Sequence, residues 1–572
     1  MKIIDNYGWH RPIVTGTNAM VSSGHHLASL AGINIINKGG NAIDAGVAMC
    51  LCINVLQPEY TNFGGVAPIM IYSANDDKVF NISGLGTWPK ATSMEKVSRG
   101  EFTQDQFVSS VVPSAPDAWI TALELCGTMS FSEVAKDAIM LAENGFAAYP
   151  FLVDNLNRMK NVLQGYRYTK NMYYPNGKVP RIGDIIVQRD LAKTLNRLIK
   201  VEENNSHLGR QGALVATRNE FYTGDIAKEL IAFLQDNGGF MTLSDMAEFH
   251  VGLEEPVKTK FRDIEVYCCG PWSQGPVNNV ALNILEGFDL PSMEHNSAEY
   301  LHVMISALDL AFADREKYFG DPKFVNVPIK ELVSKKYAKT RREFIARDYF
   351  WGKMPPPGDP INLKATISDW VEPRRGGVSY VPDTSVGCVI DKEGNAFSAT
   401  PSDAGRLVPG LGIGISPRGI QSWLDPDHAS SVAPGKRPRL TPNPALAFKD
   451  GELIMAYGTP GNDSQPQTMV QLLINIIDFK MNVQQAIEAP RFRSFNFPAS
   501  SWPHEYLPGS VGIESRVSQS IIKKLRDMGH DVKVFPNYTY ECGGASVVLV
   551  DRERRLLMGG ADPRRENYAI GF

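Results

Sequence analysis

The run Asp383-Thr384-Ser385 joins a proline- and glycine-rich stretch to a β-rich one. A hydroxyl at such a junction gains chemistry if the chain is cut in front of it. A free α-amine has a reference pKa of about 7.7 to 8.0, so an N-terminal threonine can pass its hydroxyl proton to its own amine without a histidine. The alternative is a threonine that only starts a strand. Downstream, SVGCVI-DKEGN-AFSAT has the pattern of a hairpin. With its turn at Asp391 to Asn395, Ile390 faces Ala396, and counting back along both strands sets Ser402 opposite Thr384 on one face. A third piece, YGTPGND over 457–463, reads as a strand end turning into a helix that begins near Ser464. Amides of such a turn can hold an oxyanion, although an ordinary strand-to-helix turn has the same pattern.

Other chemical templates fail. The chain has no Walker A loop, no HExxH and no GxSxG elbow. His25 and His26 are adjacent, cannot present two imidazoles to one metal from one helix face, and read as a polar helix start. Gly410, Gly412 and Gly414 lack the third glycine and the later acidic residue of a dinucleotide loop, so they read as a plain glycine-rich segment. The seven cysteines (50, 52, 126, 268, 269, 388 and 542) form no CxxC pair and have no histidines at zinc spacing. Reduced, mostly core thiols are expected, with no metal or organic cofactor.

The elements that must carry these groups follow from periodicity and punctuation. Helices are predicted over His26 to Lys38 and Asn41 to Leu56, the second with Asn41 as N-cap and Asp44 completing an approximate capping box. PIMIYSANDDKVFNISG reads as a hairpin turning at Asn75 to Lys78. Further helices are predicted over Ser130 to Asn144 and Arg189 to Glu203, with a stop at Gly238-Gly239. Ser297 to Tyr318 is the longest predicted helix, with Leu301, Met304, Ile305, Leu308, Ala311 and Phe312 as one apolar stripe. Trp351 to Asp383 reads as the one linker. Beyond it, two more hairpins, ALAF-KDGE-LIMAYG and SVVLV-DRER-RLLMGG, alternate with helices near Gln465 to Asp478 and Ser515 to Met528. Hairpins alternating with amphipathic helices predict a layered α+β body.

Composition narrows the partners. At 572 residues, 43% of them apolar and with a net charge of -4, the chain can bury a large core and shows no basic run for a phosphate backbone. Neither nucleic acid nor a membrane is expected as a partner. The N-terminal MKIIDNYGWHRPIV has no apolar stretch of signal-peptide length, so a cytoplasmic, soluble protein is expected.

The nucleophile, its partner and the turn sit among motifs that run along nearly the whole chain. These are LASLAGINIINKGGNAIDAGVA, AENGF, FYTGDIA, GGFMTLSDM, AFADREKYFGDPKFVNVP, DTSVGCVIDKEGNAFSAT, APGKRP, GTPGN, EAPRF and GGADPRRE. In this order they resemble the γ-glutamyltranspeptidase family of self-cleaving N-terminal-nucleophile hydrolases. The resemblance implies a four-layer αββα sandwich made as a proenzyme. The cut falls between Asp383 and Thr384 and leaves segments 1–383 and 384–572, which stay associated as one body. It also implies Thr384 as nucleophile, Ser402 as the hydroxyl that hydrogen-bonds it, and Gly461 and Asn462 as the oxyanion amides.

The departures concern specificity. Leu85, in Ser83-Gly84-Leu85-Gly86, stands where the family has the arginine that clamps the α-carboxylate of a glutamyl group. Leu440 and Thr441 replace two serines after KRP, and Gln421 aligns with the aspartate that holds the α-amino group. Arg406, Arg418 and Arg439 are read as surface, structural arginines rather than a relocated clamp. The reading is a self-processing threonine amidohydrolase acting on a small amide or peptide-like substrate whose acyl group is not an ordinary γ-glutamyl, with transfer to an amine as a secondary outcome. Its rivals are a true glutathione-type γ-glutamyl hydrolase or transferase and an unprocessed, inactive binding relative. A homo-oligomer is compatible with the sequence.

Overall fold

A computed structural model describes residues 10–99, 107–163, 167–368, 370–373, 383–403 and 405–572. Two seven-stranded antiparallel sheets carry the architecture. One runs in the order Val14–Gly16, Leu556–Ala561, Ser546–Asp551, Glu452–Gly458, Ala445–Lys449, Ile264–Cys268, Val257–Phe261. The other runs Tyr568–Gly571, Ala19–Ser23, Gly387–Asp391, Ala396–Ala399, Ile69–Ser73, Lys78–Ile82, Leu253–Glu254. Each sheet mixes strands from before and after residue 383, so the 1–383 and 384–572 segments interlock through backbone hydrogen bonds.

Three apolar cores separate four layers. Met20, Cys388, Ile390, Leu446, Ala456 and Val548 fill the space between the sheets. Helices His26–Asn37 and Ala42–Leu56 cover the outer face of the second sheet. Helices Pro276–Leu285, Ser464–Ile477 and Val483–Glu488 cover the first. Strands covered on both faces read as continuous apolar runs, which is why VGCVI carries no polar residue on either side. The four-layer α+β sandwich expected from the resemblance is the observed fold.

Local signals place the elements closely. Asn41 caps the second helix and Asp44 returns the bond to its backbone, a complete capping box. The three downstream hairpins form as predicted, with a bulge between Ala447 and Phe448 in the middle one. All seven cysteines are unpaired and six are buried. Among the described residues no helix is long and apolar enough to cross a membrane.

Three expectations need correction. Helix Ala298–Tyr318 has no single apolar stripe, because it is buried on every side, including Asp309, Asp314, Arg315 and Glu316. The last predicted helix starts later, at Gln519, because the Ser518 side chain accepts from Ile521 N and caps it, while Ser515 N bonds Phe535 O. The 351–383 stretch is no spacer between domains, since Met354 and Pro355 are buried and the chain re-enters a shared sheet. Its 369 and 374–382 portions lie outside the described residues.

Candidate active site

Thr384 and Ser402 form an antiparallel bridge that continues the ladder from Ile390–Ala396 to Gly387–Ala399. Val386, Cys388, Ile390 and Ala396 face the inter-sheet core, and by the same parity so do Thr384 and Ser402. Their hydroxyl oxygens are 3.0 Å apart, and Thr384 is 1% exposed.

Proton accounting sets the direction of that bond. Ser402 Oγ donates at 2.8 Å to the Asp383 carbonyl, which can only accept. Ser402 has one proton, so the Thr384 hydroxyl donates to Ser402. Arg418 Nη2 also donates to Ser402 Oγ and, at 3.5 Å, to the Asp383 carbonyl. The carbonyl beside the threonine is therefore polarised by a hydroxyl and a guanidinium. Gln465 Nε2, from the first turn of helix Ser464–Ile477, reaches Thr384 Oγ1 at 3.5 Å.

The Gly458-Thr459-Pro460-Gly461 turn lies alongside. Gly461 has φ +119°, and a Cβ there would sit 2.2 Å from Ser464 Oγ, so only glycine fits. Asn462 has φ +53°, a left-handed conformation that asparagine tolerates better than most residues. The Asn462 amide has no protein acceptor among the described residues, whereas the Gly461 amide donates at 2.8 Å to Asp383 Oδ1.

A buried ionic network holds this turn from behind. Gln274 Nε2 donates to Asn462 O at 2.8 Å. Arg315 ion-pairs with Asp463 and Glu316, and Arg439 reaches Glu316 at 2.8 Å. Burial would push the Asp463 and Glu316 carboxyls up, but the arginines reverse this and hold both below the usual carboxylate range. Burial pulls Arg439 down to about 10. Arg315 and Gln274 escape the sequence reasoning; the available signal is four successive charges, Asp314-Arg315-Glu316-Lys317, at the end of a mostly apolar helix.

A cavity of about 520 Å3 opens against these groups, with Asp383, Gly461, Asn462 and Arg565 in its wall. Asp383 is 7% exposed and forms an ion pair with Arg565, another residue the sequence reasoning missed. Thr384 and Ser402 are buried next to this wall rather than in it. Nor do the four predicted substrate-binding residues line it. Leu85 and Leu440 belong to the inter-sheet core with Trp272, and Gln421 Nε2 donates to Thr441 Oγ1 at 3.1 Å. Thr441 Oγ1 also accepts from Arg418 Nη1 at 3.1 Å, which connects it to Ser402.

The reading of Arg406, Arg418 and Arg439 as surface arginines does not hold for the last two, which are 1% and 0% exposed. Arg418 is compensated by buried Asp403, itself at φ +93°, and it donates to Ser402 Oγ. Arg439 belongs to the network behind the turn. Arg406 lies over the Phe107 ring at 4.7 Å.

The model of one protein family, Gamma-glutamyltranspeptidase, matches residues 28–572. The chain belongs to the γ-glutamyltranspeptidase family. It is 32% identical to the glutathione hydrolase-like YwrD proenzyme of Bacillus subtilis (strain 168), over 98% of this chain and 99% of that one. It is 30% identical to the acylase ACY 1 proenzyme of Pseudomonas sp. (strain SE83), over 95% and 91%. The crystal structure of cephalosporin acylase from Bacillus halodurans superposes with a TM-score of 0.86 at 28% identity, covering 99% of this chain and 98% of that one. The sandwich is thus the N-terminal-nucleophile hydrolase fold, and this member of the family is an amidohydrolase.

Proposed function

We propose that the chain is a proenzyme that cuts itself between Asp383 and Thr384 and then hydrolyses a small amide through Thr384. The observation that carries this reading is the Asp383 carbonyl, held by Ser402 Oγ and Arg418 directly beside the Thr384 hydroxyl. In self-cleavage, Thr384 Oγ bonds to the Asp383 carbonyl carbon and the Asp383–Thr384 C–N bond breaks. The hydroxyl proton passes to the departing nitrogen, and water hydrolyses the resulting ester. Segments 1–383 and 384–572 then stay together because they share both sheets.

In the cut enzyme the new α-amine takes the Oγ proton as Thr384 attacks the substrate carbonyl. The Gly461 and Asn462 amides receive the oxyanion, the proton goes to the leaving amine, and water releases the acyl group from the ester. Departure of the Asp383 carbonyl frees the Ser402 proton to orient Thr384. The substrate is an amide whose acyl group is not an ordinary γ-glutamyl. The apolar surroundings of Leu85 and Leu440 and the acylases among the relatives support this, and transfer to an amine acceptor is a secondary outcome.

Denaturing gels of the wild type, Thr384→Ala and Thr384→Ser, with mass spectrometry of the peptide that starts at Thr384, test this reading. The wild type and the serine variant are expected to give two bands, and an added amide is expected to leave its acyl mass on Thr384. Efficient cutting of the alanine variant would refute the assignment.

A further inference from the structure

In the uncut chain a carboxylate already occupies the wall of the cavity. Asp383 Oδ1 accepts from Gly461 N and from Thr384 N, each at 2.8 Å. Asp383 Oδ2 is held by Arg565 Nη2. Arg565 is 6% exposed, lies over the rings of Tyr60 at 5.3 Å and Phe151 at 5.6 Å, and keeps Nε and Nη1 without acceptors. Burial alone would pull this guanidinium down, but the Asp383 charge outweighs it and keeps it protonated. The other arginines of the wall are paired with other carboxylates, Arg493 with Glu541, itself in the wall, at 2.7 Å and Arg158 with Asp154. Arg565 depends on Asp383, the residue that a cut at Thr384 turns into a chain end.

We infer that Gly461 N–H and Arg565 form an anionic-acyl subsite, occupied by the Asp383 side chain until the chain is cut, and that the substrate is the monoamide of a short dicarboxylic acid. This rests on the reading of Thr384 as nucleophile. The reach follows from the bridge itself. One carboxylate spans the amide and the guanidinium, so an acyl group that puts its carbonyl oxygen on Gly461 N and its free carboxylate on Arg565 must keep the two close. The carboxylate lies directly on the carbonyl or about one to two carbons away, as in oxalyl, malonyl and succinyl groups. A γ-glutamyl group holds its α-carboxylate on a longer chain and misses Arg565 in this pose. Once Asp383 leaves Nη2, that nitrogen with its spare neighbour Nη1 or Nε forms a fork that suits a bidentate carboxylate better than a neutral acyl group.

The test compares oxamate, malonamate and succinamate with acetamide, propionamide and butyramide on the processed wild type. A charge-assisted contact predicts kcat/KM about 10- to 150-fold higher for the anionic amides. In parallel, titration calorimetry follows oxalate, malonate and succinate on full-length uncut chains. Thr384→Ala is expected not to bind them, because Asp383 fills the subsite. Asp383→Gly with Thr384→Ala is expected to bind, and adding Arg565→Gln is expected to abolish it. Should the Arg565 variant not fold, competitive inhibition of the wild type by the dicarboxylates but not by their diamides replaces it. Neutral amides turned over as well as anionic ones, or dicarboxylate binding indifferent to Arg565, overturns the subsite while Thr384 acylation stands. A chain that never cuts and never acylates refutes the nucleophile, and binding to the Asp383→Gly, Thr384→Ala chain still decides the subsite.

Discussion

Two largely buried patches, one reaching the cavity wall and one sealed between the sheets, are built on opposite principles. Around the Asp383–Thr384 bond, Ser402, Arg418, Asp403, Gly461 and Arg565 form a polar patch in which each charge has a partner. Around Leu85, Leu440 and Trp272 the lining is apolar. The first holds the groups to which the proposal assigns the bond chemistry. The second stands where the resemblance places the recognition of a glutamyl carboxylate. Reaction groups sit in a cross-chain hydrogen-bond lattice where one substitution strands its neighbours, whereas a recognition site can become ordinary core with only side-chain replacement.

The largest expected effect comes from putting charge back into the apolar patch. Leu85→Arg forces a second cation into the packed patch of Leu440 and Trp272, beside Arg437, which lies over the Trp272 ring at 5.4 Å and already holds Glu254, at a cost of about 3 to 5 kcal/mol in stability. Chemical denaturation measures this, and no γ-glutamyl turnover is expected to return. A stable Leu85→Arg chain that hydrolyses γ-glutamyl-p-nitroanilide would erase the contrast between the patches.

For the wild type, loss of the clamp predicts that the processed enzyme handles γ-glutamyl-p-nitroanilide poorly. The penalty of an unpaired substrate carboxylate is roughly 2 to 5 kcal/mol, or on the order of 30-fold to several thousand-fold against the best acyl amide. A glutamyl compound that wins by a wide margin contradicts this.

On the polar side, Ser402→Ala removes the hydroxyl that donates to the Asp383 carbonyl and accepts from Thr384. Self-cleavage is expected to slow by about 100- to 1,000-fold, as for the loss of one oxyanion donor, and Ser402→Thr to be tolerated. Time courses on gels decide it, and an unchanged rate shows that Arg418 alone polarises the bond.

The smallest effect is at the turn. Asn462→Gly relaxes a left-handed residue and changes stability by at most about 1 kcal/mol, with turnover within a few-fold of wild type. A large loss of turnover would assign a role to the Asn462 side chain, whose Oδ1 is buried without a partner.

The sequence reveals whatever is set locally. The Thr384–Ser402 pairing follows from one turn, which Asp391 fixes by accepting from Asn395 N at 2.9 Å and Nδ2 at 3.0 Å, and from the alternation of strands. Gly461 is legible because its turn chemistry and the following helix adjoin in sequence. Arg418, Arg565 and Arg315 are not, since each meets its carboxylate through tertiary folding. Arg565 lies 182 positions from Asp383 and Arg315 148 from Asp463. Arginine is usually exposed, so nothing short of the fold shows these three as buried. The long helix misled for the same reason, because only the stacking of layers determines that all its faces are covered.

The burial of the Asp383–Thr384 bond, 7% and 1% exposed on its two sides, has a kinetic consequence. A separate protease must draw its target into its own cleft, and this bond offers nothing to grip while the sandwich stands. Only a group already inside the same molecule reaches it. The proposed cut is therefore expected to be first order in protein, with a half-time that dilution leaves unchanged, and mixing processed enzyme with an uncut Thr384→Ala chain is expected to convert none of the latter.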